Sequence, residues 1–227
     1  MKNIPKQSDT DLFSPAKPLS RLDEKYLTDF GFPRKFLHLI NKLYTPEKIQ
    51  EYLKEELLYN EKETYRSFID IVELKIADCF EGGVGFAYPL LYLHGYSPKI
   101  VMIHADNRID VDHTLVAYKL KNKIGAIAKS NYPLLMDRPP EFGSLRDLIL
   151  TYYPHYVCEI KEHEFHGMYT VIGFSDPIDL VEKFGTKWFF ARGNNTLKNL
   201  YNHFTDGVWC TRIFSDQKFL YPPEEKV

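Results

Sequence analysis

The fold is decided by the stretch Ala77-Asp78-Cys79-Phe80-Glu81-Gly82-Gly83 and by the apolar run that continues from it to Leu93. The segment 80–93 is almost wholly apolar, spans about four helical turns, and ends at His94-Gly95, where glycine is a natural helix terminator. A helix that is apolar on every side belongs in a domain core. The sequence therefore predicts a central buried helix with Cys79 in its first turn.

Helical patterns precede this stretch. Thr45-Pro46-Glu47 has the signature of a helix start, with threonine as N-cap, proline at the first helical position and glutamate in the first turn. Apolar residues then recur at steps of three and four, as in an amphipathic helix; they are Ile49, Tyr52, Leu53 and Leu57, followed by Tyr65, Phe68, Ile69 and Val72.

After Gly95 the pattern changes to strands. Three strand-like runs are predicted at 99–104, 114–120 and 124–128, and Lys121-Asn122-Lys123 is a tight connection that pairs the last two as a hairpin. Further strands are predicted at 156–160 and 168–173, and short helices from Ser144 to about Tyr152 and from Asp176 to Phe184. Arg138-Pro139-Pro140 is expected to interrupt regular structure. Helices followed by an antiparallel meander predict the α+β class.

Length and composition indicate an ordinary globular protein. The 227 residues are 44% hydrophobic and 15% aromatic, and the formal charge of −2 is spread along the chain. Without a basic block there is no footprint of nucleic-acid binding, and no apolar run approaches the roughly 18 residues of a membrane span. We expect a cytoplasmic protein whose partners are neither nucleic acid nor membrane.

The chain reads as a tail and one domain. Residues 1–21 are polar, contain three prolines and are predicted to be a flexible tail. Residues 22–227 are predicted to form a single domain with a helical part at 22–76, a core at 77–155 and a C-terminal extension at 156–227. The cysteines Cys79, Cys158 and Cys210 are odd in number and widely spaced, which argues against a disulfide framework and favours a reducing compartment.

Cys79 is a candidate nucleophile because of its position. A thiol attacks carbonyl carbon as the thiolate, and a helix N-terminus or a neighbouring imidazolium lowers the thiol pKa. His113 comes 34 residues later, at the start of a predicted strand, and would serve as general base and acid. Asn131 lies at the end of the adjacent strand, where its carboxamide oxygen can orient the imidazole, and Ser130 is the alternative for that role.

The pair Gly82-Gly83 has two interpretations. Each glycine in a helix costs roughly 1 kcal/mol relative to alanine, so something must approach the helix closely. That neighbour is either a substrate or a packed strand. The candidate substrate-binding residues are accordingly Gly82 and Gly83, together with Asp112 and Ser130.

Three segments resemble a known family. Asp78 to Gly83, Asp112 to Tyr118 and Gly125 to Asn131 together resemble the transglutaminase-like cysteine protease superfamily, and more narrowly a little-characterised prokaryotic transglutaminase-like group. The resemblance covers roughly residues 65–155. It departs from the family pattern in offering Ser130-Asn131 where transglutaminases have Asp, and in lacking tryptophans around the cysteine.

The resemblance implies a fold and a chemistry. The fold would be a transglutaminase/papain-like core, with a cysteine-bearing helix packed on an antiparallel sheet and extra N-terminal helices. Cys79, His113 and Asn131 would form a catalytic triad for amide hydrolysis or acyl transfer through a thioester, acting on a protein, a peptide or a small amide. It implies no cofactor and no metal.

Alternatives remain open at this point. The same fold without catalysis would serve as a peptide- or protein-binding module. The segment from His104 to His113 holds several metal-competent side chains, although its spacing matches neither an EF-hand nor a zinc signature and its Asp and Asn residues are typical of turns. Alternatively, Asp110 and Asp112 would raise the pKa of His113. His163 and His166 are a weaker metal candidate, and Cys158 and Cys210 are predicted to be packed residues.

Overall fold

The described part of the chain forms a six-stranded antiparallel sheet with helices on both faces, together with a separate two-stranded parallel pair. The computed structural model describes residues 13–159, 161, 166–206 and 211–213. The helices are α1 (Glu24–Phe30), α2 (Arg34–Lys42), α3 (Pro46–Glu55), α4 (Phe68–Leu74), α5 (Tyr88–Leu93), α6 (Leu145–Leu150), α7 (Leu180–Phe184) and α8 (Lys198–Asp206). The strands are β1 (Leu58–Tyr59), β2 (Ile76–Ala77), β3 (Lys99–Ala105), β4 (His113–Leu120), β5 (Lys123–Ile127), β6 (Arg138–Phe142), β7 (Val171–Ser175) and β8 (Thr211–Ile213).

The main sheet has the order β6-β5-β4-β3-β7-β8, with antiparallel pairing throughout, and β1 and β2 form a separate parallel pair. The predicted α+β class is confirmed. Successive side chains of a strand point to opposite faces, so each strand of the main sheet serves two cores.

The two faces of the sheet are covered by different elements. The front face carries Met102, Val116 and Tyr118, which share one apolar core with the N-terminal helices and α5. The back face carries Leu115 and Ala117, which share a second core with α6. This alternation decides which side chains of β3 and β4 reach Cys79.

The predicted central helix is present, and Cys79 lies in its first turn. The chain is helical from residue 79, passes through a π-helical segment at Glu81–Ala87, and continues into α5. We call residues 79–93 the cysteine helix. Asp78 caps it, because its Oδ1 accepts from the backbone N–H of Glu81 at 2.7 Å. The π-helical geometry was not predicted; such segments are frequent at functional sites.

Other local signals are also confirmed. Thr45 caps α3 by accepting from the N–H of Lys48, and Ser144 caps α6 by accepting from the N–H of Asp147. The predicted hairpin is β4–β5, and Lys121 and Asn122 have φ angles of 47° and 63°. Two consecutive positive φ angles are typical of a two-residue type I′ turn.

Three predictions in the second half of the chain need correction. Arg138-Pro139-Pro140 does not interrupt regular structure but lies in β6, an edge strand where a missing N–H is tolerated. No regular strand forms in the described part of 156–160, where Val157 makes an isolated bridge to Tyr169, and the strand predicted at 168–173 is β7, which begins only at Val171. The helix predicted from Asp176 begins only after its N-cap, Asp179.

Part of the predicted tail is packed on the domain. The backbone N–H groups of Lys17 and Leu19 donate to the carbonyls of Gly95 and His94, at 2.9 and 3.0 Å. Phe13 is buried in the back core. Phe13, Lys17 and Leu19 therefore have apolar or backbone partners in the domain, although they belong to the segment predicted as a tail.

Among the described helices, none is both long and apolar enough to cross a membrane.

Candidate active site around Cys79

The thiol of Cys79 faces the start of β4. It donates a weak hydrogen bond to the backbone carbonyl of Asp112, with an Sγ–O distance of 4.0 Å. Burial raises the pKa of the thiol to about 12 and the Asp78 carboxylate adds to this, although N–H groups of Thr114 and Phe80 act in the opposite direction. The thiol is therefore protonated at neutral pH and needs a base in order to react.

Asp78 is the second titratable group at this helix start. Burial raises its pKa to about 7. Hydrogen bonds from the N–H groups of Glu81 and Phe80 oppose the shift, and the Glu81 charge adds to it. Asp78 thus changes charge near neutral pH, directly beside Cys79.

His113 lies on the opposite face of the sheet from Cys79. Its ring packs 6.4 Å from that of Tyr152 in the back core, and its Nε2 donates to the carbonyl of Leu135 at 2.8 Å. Its neighbour Thr114 points to the front face, where it contacts the cysteine helix. The structure therefore does not bring His113 and Cys79 together, because the strand alternation turns the imidazole to the other face of the sheet.

The environment of His113 also differs from the prediction. Burial lowers its pKa to about 4, and nearby Arg138 adds to this against the opposing effect of the Leu135 carbonyl. The expected rise in pKa from Asp110 and Asp112 is wrong. His113 is a neutral core residue.

Asn131 and Ser130 do not orient an imidazole. Asn131 lies beyond the end of β5 and is exposed, whereas Ser130 is buried and its Oγ accepts from the N–H of Tyr132 at 3.0 Å. The ring nitrogen of His113 that is hydrogen-bonded in the structure has Leu135 as its partner. The triad Cys79, His113 and Asn131 is not assembled.

The glycine pair is explained by packing. A Cβ added at Gly82 would lie 2.4 Å from Cβ of Lys129, and one at Gly83 would lie 3.1 Å from Cγ2 of Thr114. Both glycines are buried. The geometry favours the packed-strand interpretation over substrate approach.

A histidine that was not predicted as catalytic lies on the front face. Ile103 and Ala105 point into the back core, so His104 between them points to the side that holds Cys79. Its Nδ1 lies 3.0 Å from Oδ2 of Asp112, and its Nε2 is buried without a hydrogen-bond partner. A buried polar atom without a partner is unusual in a native structure.

Asp112 connects His104 to Cys79. One carboxylate oxygen holds the His104 ring, the other accepts from the N–H of Ala105 at 2.9 Å, and its backbone carbonyl accepts from the Cys79 thiol. Asp112 was predicted as a substrate-binding residue and His104 as a metal candidate. Counting the strand period from Met102 would have placed His104 on the front face before the structure was known.

A cavity of about 480 Å³ opens beside this pair. It is lined by His104, Ala105, Asp106, Asn107, Asp112 and Ile172. This space gives a ligand access to the edge of the His104–Asp112 pair.

A buried ion pair fixes the start of the cysteine helix. Glu81 is fully buried and accepts from the backbone N–H, Nε and Nη2 of Arg66, at 2.8 to 2.9 Å. Thr64 and Asn60 complete its hydrogen bonds. No local sequence pattern signals this pairing, which joins residues that are 15 positions apart.

The predicted metal candidates that the structure describes are not gathered into a metal site. Within the described ranges, no group of three or more His, Cys, Asp or Glu side chains could hold a metal ion. Cys158 is buried, as predicted. His163 and Cys210 lie outside the described residues.

Comparisons with known proteins do not assign the chain to a family. No protein-family model matches the chain, and no curated protein matches it. The resemblance to transglutaminases therefore stays a prediction.

Proposed function

We propose that the protein is a cysteine-dependent amide hydrolase or acyltransferase, with Cys79 as nucleophile, His104 as general base and acid, and Asp112 as the orienting residue. One observation carries the proposal: Asp112 contacts both the Cys79 thiol and the His104 ring, while Nε2 of His104 has no partner. The reaction class is the one implied by the transglutaminase-like resemblance, with a different base from the one first predicted.

The chemistry follows from these groups. Nε2 of His104 takes the thiol proton as Sγ bonds to the acyl carbon, and it returns that proton to the departing amine when the carbon–nitrogen bond breaks. Water or a second amine then attacks the thioester, giving an acid or a new amide and restoring the thiol. The Asp112 carboxylate stabilises the imidazolium that forms between these steps.

In the structure, the Cys79 thiol and the His104 ring are not yet arranged for proton transfer. No hydrogen bond joins Cys79 to His104 in the structure, and the raised pKa keeps the thiol protonated. Catalytic hydrogen bonds often shorten only when substrate is bound. We therefore expect the proton transfer to be coupled to substrate binding.

The test uses an activated acyl donor, because the natural substrate is unidentified. p-Nitrophenyl acetate should acylate Cys79, seen as an acetyl adduct by peptide mass spectrometry and as release of nitrophenol. Cys79→Ala should abolish the adduct, and His104→Gln should slow its formation by roughly 10²-fold. Cys158→Ala is the matched control and should react like wild type. Equal nitrophenol release from Cys79→Ala and wild type would overturn the proposal.

A second candidate is a non-catalytic peptide- or protein-binding module on the same fold. The raised pKa of the Cys79 thiol favours it, since an unreactive thiol suits a binding cleft. Peptide binding that survives in Cys79→Ala, together with no acylation of wild type, would select this candidate.

A further inference from the structure

We infer that His94 is a buried imidazolium that holds residues 17–22 against the end of the cysteine helix, and that loss of its second ring hydrogen as the pH rises loosens this segment. We call residues 17–22 the N-terminal strap. The site lies at the far end of the cysteine helix from Cys79, and its chemistry does not involve the thiol.

Both ring nitrogens of His94 contact backbone carbonyl oxygens. Nδ1 lies 2.8 Å from the carbonyl oxygen of Leu19 in the strap, and Nε2 lies 2.9 Å from that of Ile40 in α2. These are the distances of ordinary N–H···O hydrogen bonds. A carbonyl oxygen can only accept, so each nitrogen must carry a hydrogen. A neutral imidazole carries one such hydrogen and an imidazolium carries two, so the two contacts together require the protonated ring.

A neutral ring does not satisfy this site. It would hold a nitrogen lone pair against a carbonyl oxygen, and His94 is fully buried, so both polar atoms would be unpaired away from bulk water. Rotating the ring by half a turn does not help, because it would put carbon atoms where the two nitrogens now meet the carbonyls. The second hydrogen is therefore part of the contact between the strap and α2.

Two helix C-termini meet at His94 and favour a positive charge there. His94 directly follows Leu93, the last residue of α5, and its Nε2 reaches Ile40 in the last turn of α2. The carbonyl groups at the C-terminus of a helix carry partial negative charge, which stabilises a nearby cation. These carbonyls offset part of the cost of burying the imidazolium.

No carboxylate takes this role in the described part of the chain, because the two partners of the His94 ring are the carbonyls of Leu19 and Ile40. Asp23, which follows the strap, caps α1 by accepting from the N–H of Tyr26. The charge on His94 therefore has backbone dipoles as its counterpart.

The other titratable groups near His94 do not supply its charge. Tyr92 and Tyr96, two residues away on either side, are phenols whose pKa is raised by burial, so both are neutral. The basic side chains of the strap and of α2 are all exposed; they are Lys17, Arg21, Arg34, Lys35, His38 and Lys42. Positive groups oppose a charge on His94, but solvent screens them because they lie at the surface.

Backbone contacts couple the strap to the His94 ring. The N–H of Leu19 donates to the carbonyl of His94 at 3.0 Å, while Nδ1 of His94 donates to the carbonyl of Leu19. Lys17 approaches Gly95 so closely that an added Cβ on the glycine would lie 2.4 Å from the carbonyl oxygen of Lys17. When the ring becomes neutral, one of its two carbonyls loses a donor, and in either tautomer the ring no longer bridges the strap to α2. The bound proton thus favours the fastened strap, which loosens as the pH rises.

The far end of the strap is held without a titratable group. The side chain of Asn41 accepts from the N–H of Leu22 at 2.7 Å and donates to its carbonyl at 3.2 Å. An amide does not titrate in this range, so the contact with Leu22 is independent of pH. Loosening is therefore confined to the part of the strap that precedes Leu22.

Ring protonation is measured on the wild-type protein by nitrogen-15 NMR of its histidines. At pH 7, a free histidine carries the second hydrogen in a minority of molecules. Both ring nitrogens of His94 should nevertheless show the chemical shift of a protonated nitrogen in the folded protein at this pH. A His94 ring with one predominantly unprotonated nitrogen would overturn the inference.

Strap release is measured by amide hydrogen exchange, corrected for the intrinsic pH dependence of exchange. As the His94 ring loses its second hydrogen, protection of the Lys17 and Leu19 amides should fall roughly tenfold, as expected for one lost hydrogen bond. The Leu22 amide should keep its protection. Constant protection of Lys17 and Leu19 through the titration of the ring, or a ring that keeps both hydrogens up to pH 10, would overturn the pH-dependent release.

Variants identify the titrating group. Glutamine in His94→Gln can donate to a carbonyl but does not titrate, so protection of Lys17 and Leu19 should become independent of pH. His38→Gln removes an exposed histidine of α2 and is the matched control, which should keep the wild-type pH dependence. A pH dependence that persists in His94→Gln would place the titrating group elsewhere and overturn the assignment. The wild-type measurements decide the question even where His94→Gln does not fold.

Discussion

His113 and Thr114 are adjacent in β4, and their side chains point to opposite faces of the sheet. Thr114 contacts the cysteine helix, whereas His113 is enclosed in the back core. This alternation turns the histidine that the sequence favours as the base away from Cys79, whereas His104 points to the side of the sheet that holds Cys79.

The two histidines should therefore respond differently to the same substitution. His113→Gln keeps a donor for the Leu135 carbonyl, so acylation of Cys79 should remain within about twofold of wild type, whereas His104→Gln should lose roughly 10²-fold. The measurement is the rate of acetyl transfer from p-nitrophenyl acetate. Loss in a folded His113→Gln protein, with none in His104→Gln, would restore the first triad.

His113 should make the protein sensitive to acid. Its folded-state pKa of about 4 lies below the unfolded value of 6.5, so its stabilisation is complete above pH 6.5 and is lost as the pH falls toward 4. The loss should be about 3 kcal/mol in the free energy of unfolding. Urea unfolding of wild type and His113→Gln is measured at several pH values. Because the titration of Asp78 changes the free energy of unfolding equally in both proteins, the difference between them isolates the contribution of His113. Parallel pH profiles for the two proteins would contradict the assignment.

Gly82→Ala should destabilise the fold. The new Cβ would meet Cβ of Lys129, which cannot move freely because its ammonium donates to the carbonyls of Leu53 and Leu57. We expect a loss of about 1–3 kcal/mol, seen as a lower midpoint of urea unfolding. Gly143→Ala is the matched control, because nothing lies within 4 Å of its added Cβ. Equal stability of the two variants would show that the cysteine helix and Lys129, just beyond β5, are less tightly packed than described.

Glu81→Gln should be among the most damaging substitutions. It leaves the guanidinium of Arg66 buried without its counter-charge, which typically costs about 3–5 kcal/mol. Glu56→Gln breaks the exposed pair with Lys75 and should change stability little, because solvent screens exposed ion pairs. Thermal unfolding compares the two. A small shift for Glu81→Gln would mean that water reaches the pair.

The local signals in the sequence predicted local structure well. The caps at Thr45 and Ser144, the hairpin at Lys121-Asn122 and the cysteine helix all depend on residues a few positions apart, where propensity and hydrogen bonding act directly. The edge strand β6 was missed because two prolines normally signal a break, and only the position at the sheet edge makes them acceptable.

The proposed site shares two residues with the site predicted from the sequence. Cys79 and Asp112 are placed together, but the choice between His104 and His113 depends on strand register, and a shift of one residue exchanges the faces. The Arg66–Glu81 pair forms because the segment that carries Arg66 packs against the start of the cysteine helix. A contact between two segments of this kind is not encoded in the local pattern of residues.

Pro139 and Pro140 affect whether β6 can pair with a strand of another chain. A proline offers no backbone N–H, and two in succession at the outer strand leave an incomplete row of donors. The missing donors make it unfavourable for another strand to extend the sheet at this edge. Self-assembly by strand addition is therefore discouraged at β6.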